Sequence, residues 1–168
     1  VLARELGLNE VREIKMRTSC ELEVFVHGAL CVSESGLCLF SSFLGGKSAN
    51  RGMCAQACRR MYSAQTSAGE KKGYFFSPHD LQLIDFIPDL VQAGVNSFKI
   101  EGRMKSAEYV GTVVSAYRYV LDNWEADKKT ALETAKRILA NDFARPKTRY
   151  WYDSPRAENI LNPSQAGG

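Results

Sequence analysis

No apolar run in this sequence approaches the roughly 18 residues that a membrane-spanning helix needs. No charged-then-apolar leader opens it. Neither charge sign dominates: 22 basic residues stand against 19 acidic ones, for a net +3. That balance is too mild to demand a nucleic-acid partner and is no bar to one. Two protease signatures are also missing. There is no His-Glu-x-x-His, His27 and Glu23 do not form such a helix motif, and Gly28-Ala29 is no serine-nucleophile elbow. These absences lead to the expectation of a soluble, cytoplasmic protein with no membrane contact. They also leave proteolysis without a recognised catalytic constellation.

What is present is an ordinary globular composition, 45% hydrophobic and 24% charged over 168 residues, enough for one domain with a core. The chain opens mid-pattern at Val1-Leu2-Ala3-Arg4-Glu5 and stops at Gln165-Ala166-Gly167-Gly168. The expectation is a piece of a longer protein, in which other segments complete any site.

Periodicity divides the chain into short elements. Val1-Leu2-Ala3 reads as the end of a buried strand, and Leu8 to Met16 as a helix with Asn9 at its cap. Leu22 to Val26 is a strand running into His27-Gly28. Residues 28–60 carry five glycines and four cysteines without clear periodicity, which predicts a long functional loop. Gly73 to Ser77 reads as a strand. A helix then starts at Ser77-Pro78-His79-Asp80 and runs to about Ala93, with a break at Pro88. Val95 to Ile100 is a fourth strand, and helices follow over Ser106–Asn123 and Lys129–Ala140. Residues 143–168 form an irregular tail rich in Arg, Pro and aromatic side chains. Strand–helix alternation predicts an α/β fold with parallel strands over residues 1–142, about half of a TIM-type barrel in size. Half a barrel leaves two open sheet edges, which the missing half or a second copy is expected to cover.

The five cysteines, in a chain without a leader, read as thiols or metal ligands rather than as a disulfide framework. Four follow the spacing Cys31-x6-Cys38-x15-Cys54-x3-Cys58. Zinc prefers tight paired knuckles, and only Cys54/Cys58 is knuckle-like. An iron–sulfur cluster accepts irregular spacing because its ligands go to separate irons. A bland reading, four small buried side chains, also stands beside these. Cys20 lies apart and reads as an ordinary thiol.

Glu23-Val24-Phe25-Val26-His27-Gly28-Ala29-Leu30-Cys31, continued by Gly36-Leu37-Cys38-Leu39-Phe40-Ser41, resembles the signature of the collagenase-like peptidase family U-thirty-two. Phe40 is the one departure, standing where an aliphatic residue is usual. Asn50-Arg51-Gly52-Met53-Cys54-Ala55-Gln56-Ala57-Cys58-Arg59 and Phe98-Lys99-Ile100-Glu101-Gly102-Arg103-Met104-Lys105 extend the resemblance to about residue 125. The resemblance implies a barrel of parallel strands and helices, of which this chain would be the C-terminal portion. It implies a peptidase by the family's name. By its better-understood members it implies instead a 4Fe–4S cluster on Cys31, Cys38, Cys54 and Cys58 that serves hydroxylation of a base in transfer or ribosomal RNA, with prephenate as an anionic small-molecule partner. Other members act in oxygen-independent ubiquinone hydroxylation.

Further candidates lie at strand ends, where barrel active sites are built. Lys99 and Glu101 share a strand face. With Arg103 and Arg4, Lys99 is expected to hold an anionic cosubstrate, and Glu101 or His27 to move a proton. Each has a plainer reading, a structural ion pair for Lys99–Glu101 and a hydrogen-bonded core residue for His27. Arg4 and Glu5 share the ion-pair reading. Glu23, Phe25 and His27 are expected on one face, and His79 is given no role. Arg51, Arg59, Arg60, Arg145, Lys147, Arg149, Tyr150, Trp151 and Arg156 offer phosphate contacts and base stacking, or merely a solvated basic face. Three readings follow: a hydroxylating iron–sulfur enzyme acting on RNA, a peptidase, and a zinc-stabilised interaction module without catalysis.

Overall fold

The computed structural model describes residues 1–102, 105–140, 145–152 and 160–161. Its centre is a four-stranded mixed sheet in the order β5-β1-β4-β6, comprising β1 (Glu23–Ala29), β4 (Asp80–Gln82), β5 (Ser97–Ile100) and β6 (Lys147–Thr148). β5 pairs with β1 in parallel and β6 with β4 in parallel, but β4 runs antiparallel to β1. Helices α1 (Leu8–Arg17), α3 (Ile87–Gln92), α4 (Ala107–Asn123) and α5 (Lys128–Leu139) accompany the sheet. The fold is therefore α/β, as expected, and the sheet of the described residues is mixed rather than the uniformly parallel half-barrel read from the alternation.

The two long helices follow directly from their sequences. Ser106 caps α4 by accepting a hydrogen bond from Tyr109 N at 3.2 Å. Tyr109, Val113, Ala116, Tyr117 and Val120 then recur along one buried stripe. Asp127 caps α5 through Thr130 N at 3.1 Å, and Ala131, Ala135 and Leu139 form its buried stripe. These stripes close over Val24, Val26, Leu81, Leu83, Ile84, Ile87 and Leu90, the core of the domain. No helix among the described residues is long and apolar enough to cross a membrane.

Several expectations change. Val1 to Ala3 is not a strand and joins β1 through one hydrogen bond, Leu2 N to Glu23 O at 2.9 Å. Gly7, not Asn9, caps α1, and its N–H donates to Glu10 Oε2 at 2.8 Å. The helix expected from Ser77 is instead strand β4, a 3-10 turn at Ile84–Phe86, and α3. Asp80 N finds Pro146 O at 2.9 Å and His79 N finds Ile160 O at 2.7 Å, so distant carbonyls draw this stretch into extended pairing. Pro88 consequently starts α3 rather than breaking a longer helix, at a position where a missing N–H costs nothing. The strand expected at Gly73 to Ser77 is likewise displaced. Gly73 ends β3 (Gly69–Gly73), which pairs with β2 (Tyr62–Thr66) as a separate exposed hairpin. The cysteine-rich stretch also holds local structure, with a short helix α2 (Phe40–Gly45) and single turns at Ala49–Arg51 and Ala57–Arg59.

Candidate metal centre and the charged sheet face beside it

Cys31 sits just beyond the end of β1, and the backbone that delivers it there depends on Gly28. Gly28 has φ +106°, and Glu101 N donates to His27 O at 2.8 Å across the same point. β1 and β5 therefore end against each other, and only a residue without Cβ fits.

The remaining three cysteines reach the same region through side-chain hydrogen bonds. Cys38 N donates to Asn50 Oδ1 at 3.2 Å, which brings the turn before Cys54 onto the start of α2. Ser41, buried in α2, accepts from Ala55 N at 3.0 Å between Cys54 and Cys58. Gln56 takes a left-handed conformation, φ 51°, and its N–H points at Cys54 Sγ at 3.3 Å. Tyr62 OH donates to Ala57 O at 2.8 Å, and the rings of Phe40, Tyr62 and Phe76 meet edge to face, pinning the hairpin to α2.

All four thiols are free. Burial pushes the Cys58 thiol up; the neighbouring Arg59 charge opposes this, and Cys31, Cys54 and Cys38 push it up further. Among the described residues, no three His, Cys, Asp or Glu side chains converge on a point that would hold one metal ion. The thiols thus share one pole of the molecule without meeting at one point. Four cysteines are the donor set of a 4Fe–4S cluster, in which each thiolate goes to its own iron.

Beside this pole lies a ladder of charge on the sheet. Lys99 Nζ is 3.4 Å from Glu23 Oε1, and Glu23 Oε2 accepts from Ser97 Oγ at 2.9 Å. The Ser97 bond, then burial in the opposite sense, then Lys99 set the Glu23 carboxyl, whose net shift is downward. Arg4 lies 4.0 Å over the Phe25 ring and 3.6 Å from Glu101 Oε2, and Lys99 approaches the same ring at 5.1 Å. Lys99 stays 42% exposed, so the face is open to a ligand. Glu5 ties the face to the cysteine loop by accepting from Ser35 N at 2.8 Å.

The structure brings together Arg4, Lys99 and Glu101 with Glu23, and it separates His27 from them. A bulge between Phe25 and His27 breaks the alternation of β1. His27 is consequently 1% exposed and does not join Glu23 and Phe25 on one face. It packs on α4, with Nδ1 3.2 Å from the Tyr117 hydroxyl, which itself donates to Val26 O at 2.8 Å. Arg103 and Arg156 lie outside the described residues.

Sequence reasoning placed Arg59 on a basic face, and the structure turns it inward. Asp80, fully buried and paired with Arg145 at 2.8 Å, was read only as a helix-start acid. Tyr150 is held up by burial and by the charges of Glu5 and Cys31, which places it near the cysteine pole. Its φ of 52° is left-handed, and no sequence pattern announces that.

The pattern of Peptidase family U32 matches residues 1–162. The chain is 44% identical to the tRNA hydroxylation protein P1 of Bacillus subtilis over 176 residues, covering 96% of this chain and 41% of that protein. It is 45% identical to the 23S rRNA 5-hydroxycytidine synthase of Escherichia coli over 125 residues, 73% of this chain and 19% of the other. It is 41% identical to a Collagenase of Porphyromonas gingivalis over 138 residues, 73% of this chain and 33% of the other. The chain spans less than half the length of each of these relatives. No solved structure matches it. On the family pattern and these identities, the chain belongs to Peptidase family U32.

Proposed function

We propose that this chain is the cluster-bearing part of a cytoplasmic iron–sulfur enzyme that hydroxylates a base in transfer or ribosomal RNA. The observation that carries the reading is the gathering of Cys31, Cys38, Cys54 and Cys58 at one pole, tied together by Asn50, Ser41 and Arg59. Relatives named for tRNA hydroxylation and for 5-hydroxycytidine synthesis in 23S rRNA support the substrate class.

In this reading the four thiolates hold a 4Fe–4S cluster, which when bound supplies one-electron chemistry at the pole. The charged face beside it takes an anionic cosubstrate of the prephenate kind. Such an anion competes with Glu23 for Lys99 and with Glu101 for Arg4, and its planar part covers the Phe25 ring. Glu101, released from Arg4 at its Oε2, is then placed to accept a proton. His27 serves by packing, since Tyr117 and the α4 interface enclose it. Additional barrel strands or a second copy cover the sheet edges at β5 and β6.

The test is nucleoside mass spectrometry of RNA from cells that lack the full-length gene. Restoration of a hydroxylated base by the wild-type gene, and its absence with Cys54→Ala, is expected. A complete set of hydroxylated bases in the deletion strain contradicts the reading. The relatives named Collagenase favour a second reading, peptidase activity, which predicts gelatin cleavage that survives Cys54→Ala.

A further inference from the structure

Arg59 follows the last cysteine of the set, and its part-buried side chain spends its guanidinium on neighbouring protein acceptors. Nη1 donates to Ser77 Oγ at 2.9 Å and to the Pro78 carbonyl. Nη2 donates to Leu30 O at 2.8 Å. All three acceptors are neutral, and among the described residues no carboxylate pairs with this guanidinium. Among the described residues the acid that acts on Arg59 is Asp80, 0% exposed and engaged at Oδ1 by Arg145 through Nε at 2.9 Å and Nη2 at 2.8 Å. Burial and the Arg145 charge both pull the Arg59 pKa down, while Cys58, Asp80 and Cys31 resist.

A guanidinium partly withdrawn from water is stabilised by a nearby anion. Asp80 is paired through Oδ1 with Arg145, and the other groups whose charge acts on Arg59 are Cys58 and Cys31, which carry a negative charge only as thiolates. Neutral thiols would leave the cation unbalanced. Thiolates holding a metal centre would balance it. The fork also has a mechanical consequence. It joins the peptide carbonyl just before Cys31 to the residue just after Cys58, two ligands far apart in sequence. A lysine, a point charge on a flexible stem, makes no such three-way span.

We infer that Arg59 is the positioning residue and the counter-charge of the cysteine centre. Its fork fixes Cys31 relative to Cys58, and its charge offsets the negative charge that the thiolates bring to the bound group. The nature of that group rests on the iron–sulfur reading above; the clamp on Cys31 and Cys58 does not.

The two roles separate in variants of the full-length protein purified without oxygen. Arg59→Lys keeps the charge and loses the span. Arg59→Gln loses both. Iron and sulfide per chain report the span, and the midpoint potential of the visible bands reports the charge. Arg59→Lys should retain iron about tenfold less tightly than wild type, in the range seen when groups supporting metal ligands are removed. Its potential should stay near the wild-type value. Arg59→Gln should lose iron equally, and its residual cluster should be harder to reduce, because a positive charge favours the more electron-rich state. A tenfold change in that equilibrium is about 59 mV for one electron. Wild-type iron content and potential in Arg59→Gln overturn the inference. Wild-type protein without iron or sulfide overturns the iron–sulfur reading instead. The clamp is then read in metal-free protein by short bifunctional thiol reagents. Faster Cys31–Cys58 cross-linking in wild type than in Arg59→Lys supports it, and equal rates overturn it.

Discussion

A Cβ on Gly28 would stand 2.2 Å from the carbonyl oxygen of Glu101. This is a backbone collision, so no rotation of a side chain relieves it, and the φ of +106° adds its own strain to any L-residue there. The same close approach sets Cys31 at the mouth of the sheet and Glu101 on the charged face. Gly28→Ala is predicted to cost at least about 2 kcal/mol of stability. Urea unfolding of the purified protein measures it, and a midpoint unchanged from wild type removes the close approach from the account.

The Asp80–Arg145 pair is the second fixed point behind the centre. Asp80 is completely buried and Arg145 nearly so, which puts the pair where removing one partner is expensive. Asp80→Ala is predicted to cost about 3–5 kcal/mol. A double replacement, Asp80→Leu with Arg145→Met, recovers most of that loss because both charges leave together. Thermal unfolding of the two variants decides it: equal destabilisation by single and double replacement goes against a buried pair.

Asp127 supplies a pH dependence whose sign is fixed. The Thr130 hydroxyl, then the Thr130 N–H, hold its carboxyl below its usual 3.8. A carboxylate depressed in the folded state contributes stability above its unfolded pKa and loses it as pH falls through the folded one. Asp127→Ala should therefore lower Tm at neutral pH, and the gap to wild type should close as pH drops below about 4. A gap that persists unchanged in acid would point to a cause other than the ionised cap.

Lys99 separates binding from stability. Its ion pair with Glu23 is half-exposed, so Lys99→Met should shift stability by less than about 1 kcal/mol. Affinity for a prephenate-like dianion should nevertheless fall about tenfold, the loss of one charge-assisted hydrogen bond. Calorimetric titration of the full-length protein reads the affinity. Unchanged binding takes Lys99 out of the cosubstrate site.

How much of this was legible depended on how local the causes were. Helices α4 and α5 announce themselves, because Ser106 and Asp127 cap them and their apolar stripes repeat every three or four residues. Ser77-Pro78-His79-Asp80 misleads for the opposite reason. It carries the composition of a helix start, but its backbone partners are the carbonyls of Pro146 and Ile160, and its acid belongs to Arg145. The hairpin of β2 and β3 escaped because most of both strands is exposed, which leaves no alternation to read. The bulge that turns His27 onto α4 is equally silent in sequence.

The cysteine pole shows both cases at once. The spacing of Cys31, Cys38, Cys54 and Cys58 marks them as a set in the sequence alone, since four thiols in one glycine-rich stretch have few other uses. Arg59 could not be read the same way, because two of its three acceptors are backbone carbonyls, which every sequence possesses. Exposed apolar side chains around the pole, Phe43 at 89% above all, mark a surface that the sequence assigned only to a loop.

The central claim is that these four cysteines carry an iron–sulfur cluster, and its most direct test is chemical. Full-length protein purified without oxygen is assayed for iron, zinc and acid-labile sulfide, with a visible spectrum. About four irons and four sulfides per chain, lost in Cys54→Ala, is the predicted result for a 4Fe–4S centre. One zinc without sulfide, or no metal at all, contradicts it.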